Sequence, residues 1–147
     1  MATQTLKWTA YPATAVTYLG AELDALAVAG NKLGAALSAS GNFYMDTVLY
    51  VATATSPRVA GDYVSLYTLP CVDNANYDYG SDTVDPGANN LIGTFTVTVG
   101  TSAIYTSLTK RLTPAGNFKM LVENKTMGTF AAAGNWLQYV FYSEKSE

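Results

Sequence analysis

The residues with the most obvious chemical potential lie in one acidic stretch, "PCVDNANYDYGSDTVDPGANN", at residues 70–90. The stretch is rich in Asp and Asn and contains neither Lys nor Arg. From Asn74 onward, its oxygen-bearing side chains follow the order of an EF-hand-type calcium loop, which takes ligands from positions one, three, five and twelve. The candidate calcium ligands are therefore Asn74, Asn76, Asp78 and Asp85.

Two details of this stretch differ from such a calcium loop. Its glycine, Gly80, occupies the seventh place instead of the sixth, and Asp85 is shorter than the usual bidentate Glu. Two other interpretations stay open. Asn and Asp favour turns because they bond nearby backbone, which predicts a solvated loop between strands. Tyr77 and Tyr79 are large amphipathic rings of the kind that contact a protein or a sugar.

Catalytic chemistry has little support in the composition. The chain has no His and a single Cys, Cys71, which excludes Ser-His and Cys-His pairs and cysteine-rich zinc or iron–sulfur sites. Two carboxylate pairs are conceivable for glycoside hydrolysis, Glu22 with Asp24 and Asp46 with Glu123. Such side chains are more often solvated charges. We therefore predict that the protein is not an enzyme and uses no cofactor.

The net charge, the N-terminal composition and the length of the apolar runs indicate which partners and which location to expect. The net charge is −3 and the eight Lys and Arg residues are scattered, so no basic stripe predicts nucleic-acid binding. No basic segment followed by an apolar one opens the chain, and its apolar runs are far shorter than the ~20 residues that span a bilayer. A lone Cys suits a reducing cytosol. We expect a cytoplasmically folded protein that does not contact a membrane.

The rest of the sequence predicts β-strands. In residues 91–99, the apolar residues Leu91, Phe95, Val97 and Val99 are predicted to lie on one face and the threonines on the other, a period of two that is typical of a strand. Residues 135–143 are apolar on both sides, which indicates a central strand or an outer face covered by a partner. The other predicted strands are 3–10, 31–39, 42–53, 62–70, 103–112 and 117–123. In strand 103–112, Ile104, Leu108 and Leu112 are predicted to face the core and Tyr105 to face out. In strand 117–123, Phe118, Met120 and Val122 are predicted to lie on one side.

Two short segments complete the predicted secondary structure. Residues 21–30 predict a short helix, because Leu23 and Leu26 lie on one side. Residues 100–102 predict a hairpin turn between strands 91–99 and 103–112. A length of 147 residues favours one domain. Seven or eight alternating strands separated by turns predict an antiparallel sandwich or barrel.

Four runs of sequence carry a resemblance to a known class of proteins: "SPRVAGDYVSLYTLPCVDNANYDYG", "LIGTFTVTV", "LTPAGNFKMLVEN" and "GNWLQYVFYSE". Over roughly residues 20–143 the chain resembles the cement, or decoration, proteins of tailed-phage heads. The resemblance rests on the strand order and on the patterns slYxLPxxDxxNYxxG and FKxxlxN.

This resemblance implies an all-β, antiparallel jelly-roll-like β-sandwich of about eight strands, in a single domain covering residues 1–147. It implies a structural virion protein on the capsid surface, assembled in the host cytoplasm. Such a protein binds the major capsid protein, forms dimers or trimers, and clamps neighbouring capsid subunits. The low charge and abundant Tyr and Thr suit a chain that buries much of its outside.

The residues expected to contact a partner lie in two extended features. One is a possible N-terminal arm, residues 1–12, with Leu6, Trp8 and Tyr11; an ordinary edge strand is the other interpretation of this segment. The second is the long acidic loop with Tyr77 and Tyr79, and the outer face of the last strand is a third candidate. The alternatives to a cement protein are a carbohydrate-binding or receptor-binding jelly-roll module and a tail or baseplate structural protein.

Overall fold

The regular structure of the protein is almost entirely β, as the alternating sequence predicts. The computed structural model describes residues 6–8, 14–54, 56–73 and 75–146. Its strands are β1 (Leu6–Trp8), β2 (Val16–Leu19), β3 (Asn31–Leu33), β4 (Leu37–Ser38), β5 (Tyr44–Val51), β6 (Tyr63–Cys71), β7 (Leu91–Thr96), β8 (Ile104–Leu112), β9 (Asn117–Asn124), β10 (Trp136–Tyr142) and β11 (Glu144–Ser146).

Two antiparallel sheets form a sandwich. The four-stranded sheet has the order β2-β10-β5-β8, and the five-stranded sheet has the order β3-β9-β6-β7 with β4 also on β9. Strands β3 and β4 pair with the same neighbour and form one interrupted edge strand. With these two counted together, the eight strands follow the order of a jelly roll, which confirms the predicted fold class.

A separate ribbon joins the two ends of the chain. Strand β1 pairs antiparallel with β11, and β11 follows β10 after a single residue. The ribbon therefore leaves the sandwich at the end where Tyr142 pairs with Tyr44, which we call the terminal end. The segment predicted as an arm or as an edge strand of the sandwich thus contains a short strand that pairs with the C-terminal segment.

The hydrophobic core fills the space between the two sheets. In β9, Phe118, Met120 and Val122 all point into it, as predicted. Aromatic rings bridge the two sheets, with 6.0 Å between the ring centres of Phe118 and Phe141. Other buried members of the core are Leu19, Leu23, Met45, Leu49, Val64, Leu66, Phe95, Leu108 and Leu137.

The helix predicted for residues 21–30 is wrong. The structure has only a single 3-10 turn, Ala21–Leu23, in this segment. Beyond it, the backbone groups that a helix would pair internally are bonded elsewhere. The N–H of Ala25 donates to the carbonyl of Ala131, and the side-chain amide of Asn124 donates to two carbonyls in this segment. These tertiary bonds override the weak helical pattern.

The hairpin predicted at residues 100–102 is also wrong. Strand β7 pairs with β6 and strand β8 pairs with β5, so the connection crosses from one sheet to the other. Gly100 instead forms an isolated antiparallel bridge with Arg58. The buried Arg58 guanidinium donates to the carbonyls of Thr98 and Ser102 and holds the crossing connection in place.

The predicted strand 31–39 is broken in two by Tyr18. The hydroxyl of Tyr18, a residue of β2 in the other sheet, accepts the N–H of Met120 at 2.8 Å and donates to the carbonyl of Ala35 at 2.6 Å. Its ring lies against Gly34, where any Cβ would come closer than the 3.0 Å limit of real contacts. Burial is the main reason that the pKa of Tyr18 rises to about 12.

A bulge near the end of β8 changes which side chains point outward. Lys110 has a φ of +53°, and its N–H donates to the carboxylate of Asp46 at 2.7 Å. Because a bulge adds one residue, the alternation shifts beyond it. Leu112, predicted to face the core, lies outward and is 70% exposed. Tyr105, which precedes the bulge, faces outward as predicted.

Candidate functional site

The outer face of the five-stranded sheet is covered by the chain itself. Alternation places Leu69, Cys71, Leu121 and Glu123 on the side opposite the core, and none of these four side chains is more than 3% exposed. A jelly-roll sheet would normally turn such a face to water. Here the described part of the acidic stretch, residues 72–73 and 75–90, lies over it, and we call this part the cover segment.

The cover segment is fixed to the sheet at several points. Asp82 accepts hydrogen bonds from the Lys32 ammonium and the Leu33 N–H, both at 2.7 Å. Asp85 accepts from the side-chain amide of Asn31 at 3.0 Å. The backbone of Gly80 packs over Leu69. The stretch is thus a loop between β6 and β7, as one interpretation of the sequence predicted, and its inner side is also bonded to the sheet.

A buried carboxylate lies on the same covered face. Glu123 accepts a hydrogen bond from the hydroxyl of Tyr67 at 2.8 Å and forms an ion pair with Lys125. The hydrogen bond to Glu123 is the main reason that the pKa of Lys125 is raised. The pKa of Tyr67 is raised first by burial and then by its bond to Glu123. Both carboxylate oxygens have partners, which is the arrangement of a structural group.

The outer face of the four-stranded sheet differs along its length. Toward the terminal end Val140 and Tyr142 are no more than 8% exposed, whereas Tyr105 and Ser107, farther from that end, are exposed. At the end opposite the terminal end, Trp136, Tyr50 and Tyr105 are cross-strand neighbours in one row. Trp136 stacks on Tyr50 with 5.3 Å between ring centres, and Tyr105 meets Trp136 edge-on at 5.8 Å. We call these three rings the aromatic cluster and the whole outward side of this sheet the open face.

Neutral polar side chains form the next row of the open face. Gln138 pairs with Val48, which pairs with Ser107, and Thr17 lies beyond Gln138 on β2. The amide of Gln138 donates to the hydroxyl of Thr17 at 3.2 Å. The charged groups of this face lie closer to the terminal end.

Those charged groups are engaged with one another and with a neighbouring ring. The carboxylate of Asp46 accepts the N–H of Lys110 and, at 2.9 Å, the hydroxyl of Tyr142. The ammonium of Lys110 lies 5.3 Å from the ring centre of Tyr44. The charges therefore belong to a local structure around the β8 bulge and leave the aromatic cluster in neutral surroundings.

The terminal end carries a second set of exposed apolar side chains. Phe43, Leu112 and Val72 are all exposed there. Phe43 is held by its backbone, since its N–H donates to the Ser143 hydroxyl and its carbonyl accepts the N–H of Thr113. Residues 38–43 and 113–116 line a cavity of about 310 Å³ beside it.

Among the described residues, no contact joins the calcium candidates to one another. Asn74 lies outside the described residues. The side-chain amide of Asn76 donates to Asp73 at 2.8 Å, and Asp85 is bonded to Asn31. In the described part of the chain, no three Cys, Asp or Glu side chains are placed to hold a metal ion. Calcium binding by these four residues stays a prediction.

The residues predicted to contact a partner lie in different surroundings. Tyr77 is half-buried, with the Lys119 ammonium 4.3 Å from its ring centre, whereas Tyr79 is 75% exposed. Leu6 and Trp8 lie in β1 of the terminal ribbon. Tyr11 lies outside the described residues. The structure therefore places Tyr79 where a partner can reach it, and the role of Tyr79, Leu6 and Trp8 in binding stays a prediction.

Of the two conceivable catalytic carboxylate pairs, Asp46 and Glu123 are kept apart, whereas Glu22 and Asp24 lie close enough to interact electrostatically. Asp46 lies on the open face and Glu123 on the covered face, with the core between them. Glu22 accepts the N–H of Gly20, while Asp24 accepts both the side-chain and backbone N–H groups of Asn135. Each carboxylate thus serves a separate local structure.

Sequence reasoning did not single out the aromatic cluster or the exposed apolar residues of the terminal end. A signal was present for the cluster, because strand 103–112 turns Tyr105 outward and strand 135–143 is apolar on both sides. Phe43 and Leu112 had no such signal. Their exposure depends on the bulge at Lys110 and on the path of the chain beside it.

No family model, no curated protein and no solved structure matches the chain. No helix within the described ranges is long and apolar enough to cross a membrane. A function must therefore be inferred from the surfaces of the molecule and from the resemblance carried by the sequence.

Proposed function

We propose that the protein is a structural virion protein that binds the outside of a phage capsid and clamps neighbouring capsid subunits. The observation that carries this proposal is the terminal end. There, Phe43, Leu112 and Val72 are exposed beside a cavity, and the β1–β11 ribbon leaves the sandwich. Exposed apolar side chains with a polar rim are the usual core of a protein interface.

The ribbon supports the same role. A two-stranded ribbon is marginally stable in water, and a partner strand or surface would stabilise it. Each of its strands has the other as its sole strand partner within the described residues, so its edges are suited to strand addition. The ribbon also contains Leu6 and Trp8, the contact residues proposed from the sequence.

The sequence resemblance to cement proteins supports the choice of the major capsid protein as the partner. In this proposal the protein assembles in the host cytoplasm as a dimer or trimer and binds the mature shell. Binding to the assembled shell alone stabilises that shell by mass action. Many copies, each spanning a joint between subunits, would oppose the pressure of packaged DNA without a cofactor or a reaction.

Quantitative mass spectrometry of purified particles tests the location. We expect copy numbers in a fixed ratio to the major capsid protein, and particles lacking the protein should release DNA at lower temperature. A few copies per particle would indicate a tail, baseplate or fibre role instead. Absence from the particle, or equal DNA release with and without the protein, would overturn the proposal.

Point variants test the docking surface. Phe43→Ser combined with Leu112→Ser should abolish co-sedimentation of the purified protein with particles that lack it, because both changes place hydroxyls in the apolar centre of the interface. Met127→Ser is the matched control, since it removes a similarly exposed apolar side chain, 67% exposed, outside both candidate surfaces. Tyr79→Ser tests the other exposed contact predicted from the sequence, and loss of binding by that variant alone would place the interface on the cover segment.

A further inference from the structure

We propose that the aromatic cluster and the neutral polar row beside it form a binding site for an uncharged carbohydrate chain. The site lies on the open face, at the end of the sandwich away from Phe43 and the terminal ribbon. It does not depend on the proposed capsid role, since a glycan site is compatible with any location of the protein.

The rings of the cluster are more exposed than a purely structural role requires. Tyr50 and Trp136 bury part of each other by stacking, but Tyr105 is 70% exposed and stands at the edge of the cluster. Cross-strand aromatic pairs stabilise a sheet, and two rings would suffice for that purpose. The third ring adds apolar surface that faces water. The C–H groups on one side of a pyranose ring are suited to cover such a surface.

The adjacent row supplies the polar groups that a sugar needs. Ser107, Gln138 and Thr17 present hydroxyl and amide groups that both donate and accept hydrogen bonds. Two residues along a strand correspond to about 7 Å, a distance that one sugar ring and its hydroxyls can bridge. Apolar surface in one row and neutral polar groups in the next match the two kinds of group that a sugar carries.

The charge of the open face restricts the identity of the ligand. The nearest charges on this face, Asp46 and Lys110, are already bonded within the structure around the bulge. A nucleic acid or another polyanion would require basic side chains here. An apolar protein surface would desolvate the Ser107 hydroxyl without giving it a partner, and the Gln138 amide with only its bond to Thr17, which is unfavourable. Sugar hydroxyls would supply those partners, so a neutral glycan fits best.

Affinity electrophoresis tests this proposal with dextran, mannan, laminarin and galactomannan as neutral polysaccharides and alginate as the charged comparison. We expect at least one neutral polysaccharide to retard the protein. Tyr105→Ala should weaken that binding about tenfold, the effect of losing one stacked ring. In a Trp8→Phe background, Trp136 is the only Trp, and its fluorescence should change with the bound polysaccharide.

Two matched variants distinguish a glycan site in the aromatic cluster from stacking on any exposed ring and from an apolar protein contact. Tyr63→Ala removes an exposed ring from β6, in the other sheet, and should leave glycan binding unchanged. Ser107→Val introduces a residue that favours strands and removes the hydroxyl, so it should weaken glycan binding. By contrast, it would leave unchanged or strengthen an apolar protein contact.

The proposal is overturned if no neutral polysaccharide retards the protein, if alginate alone does so, or if Tyr105→Ala and Tyr63→Ala have equal effects. It is also overturned if glycans fail to bind and Tyr105→Ala prevents co-sedimentation with particles. The open face would then be a protein interface. Failure of the glycan site would leave the capsid proposal standing, because that proposal is tested through Phe43 and Leu112.

Discussion

The two outer faces of this jelly roll differ in how far their side chains are exposed. The five-stranded sheet has its outer side buried under the cover segment, so that Leu69 and Leu121 are as inaccessible as the central core. The four-stranded sheet has an outer side that carries exposed Tyr105 and Leu112. Both faces contain apolar side chains. The cover segment lies on the first, while on the second Val140 and Tyr142 are buried toward the terminal end and Tyr105 is exposed away from it.

This difference separates residues that stabilise the fold from residues available for binding. A covered face contributes burial to folding, and its substitution should affect stability. An exposed aromatic face contributes little to folding, so its composition indicates a ligand or a partner. The acidic stretch, which has the most reactive composition in the sequence, is largely a structural cover.

The largest expected effect compares one leucine from each face. Leu69→Ala should lower the free energy of unfolding by about 2–5 kcal/mol, because it leaves a cavity beneath Gly80 of the cover segment. Leu112→Ala makes the same chemical change at a 70% exposed position and should alter it by less than about 0.5 kcal/mol. Urea denaturation of both variants measures the difference. Similar losses of stability would show that the two faces are not distinct.

The second effect concerns the β3 and β4 edge of the five-stranded sheet, where Tyr18 of the other sheet packs against Gly34. Gly34→Ala should lower the free energy of unfolding by about 1–3 kcal/mol, since its Cβ would push against the hydrogen-bonded Tyr18 ring. The matched control is Gly87→Ala in the cover segment. Gly87 has a φ of −63° and a ψ of 142°, and its Cβ would meet only the exposed side chain of Asn89.

The control variant should change stability by no more than about 1 kcal/mol, and in the favourable direction, because alanine restricts the unfolded chain. Thermal unfolding of both variants provides the test. If Gly34→Ala is as stable as the control, Tyr18 is not the residue that closes the edge between β3 and β4.

The third effect concerns the attachment of the cover segment. Asp82→Asn removes the ion pair with Lys32 but keeps an oxygen for the Leu33 N–H, so it should cost about 0.5–1 kcal/mol. A double-mutant cycle with Lys32→Met isolates the pair. Hydrogen exchange should quicken within residues 75–90 and stay unchanged in β5 and β10. A uniform change would mean that the cover does not open separately from the fold.

Much of the fold could be predicted from the sequence, because strand alternation is a local signal. The strands around Phe95, Leu108 and Met120 are recognisable from one-residue alternation alone. Features that depend on distant partners are not recognisable in this way. The Tyr18 hydroxyl that interrupts the edge strand and the Asn124 amide that prevents a helix both act across long stretches of sequence.

The candidate surfaces were less predictable than the strands. Whether a strand face is covered depends on where a long connection lies, and nothing local in residues 72–90 indicates that they pack on Leu69. The small β2 strand, Val16–Leu19, was also missed, although it supplies both Tyr18 and Thr17. The predicted binding role of Tyr77 and Tyr79 requires both rings to be exposed. Of the two, only Tyr79 is widely exposed.

The smallest expected effect is a pH dependence confined to the covered face. The pKa of Asp73 is lowered to about 2, first by the backbone N–H of Asn76 and then by its side-chain amide and the N–H of Ala75. A carboxylate with a lowered pKa stabilises the folded state above its ordinary pKa, and that contribution is lost as the pH falls through the folded value. The cover segment should therefore loosen between about pH 4 and pH 2.

Pepsin, which is active in acid, should cleave within residues 72–90 before it cleaves elsewhere, and Asp73→Asn should reduce the pH dependence of that cleavage. Simultaneous cleavage in β5 or β10 would mean that acid unfolds both faces together.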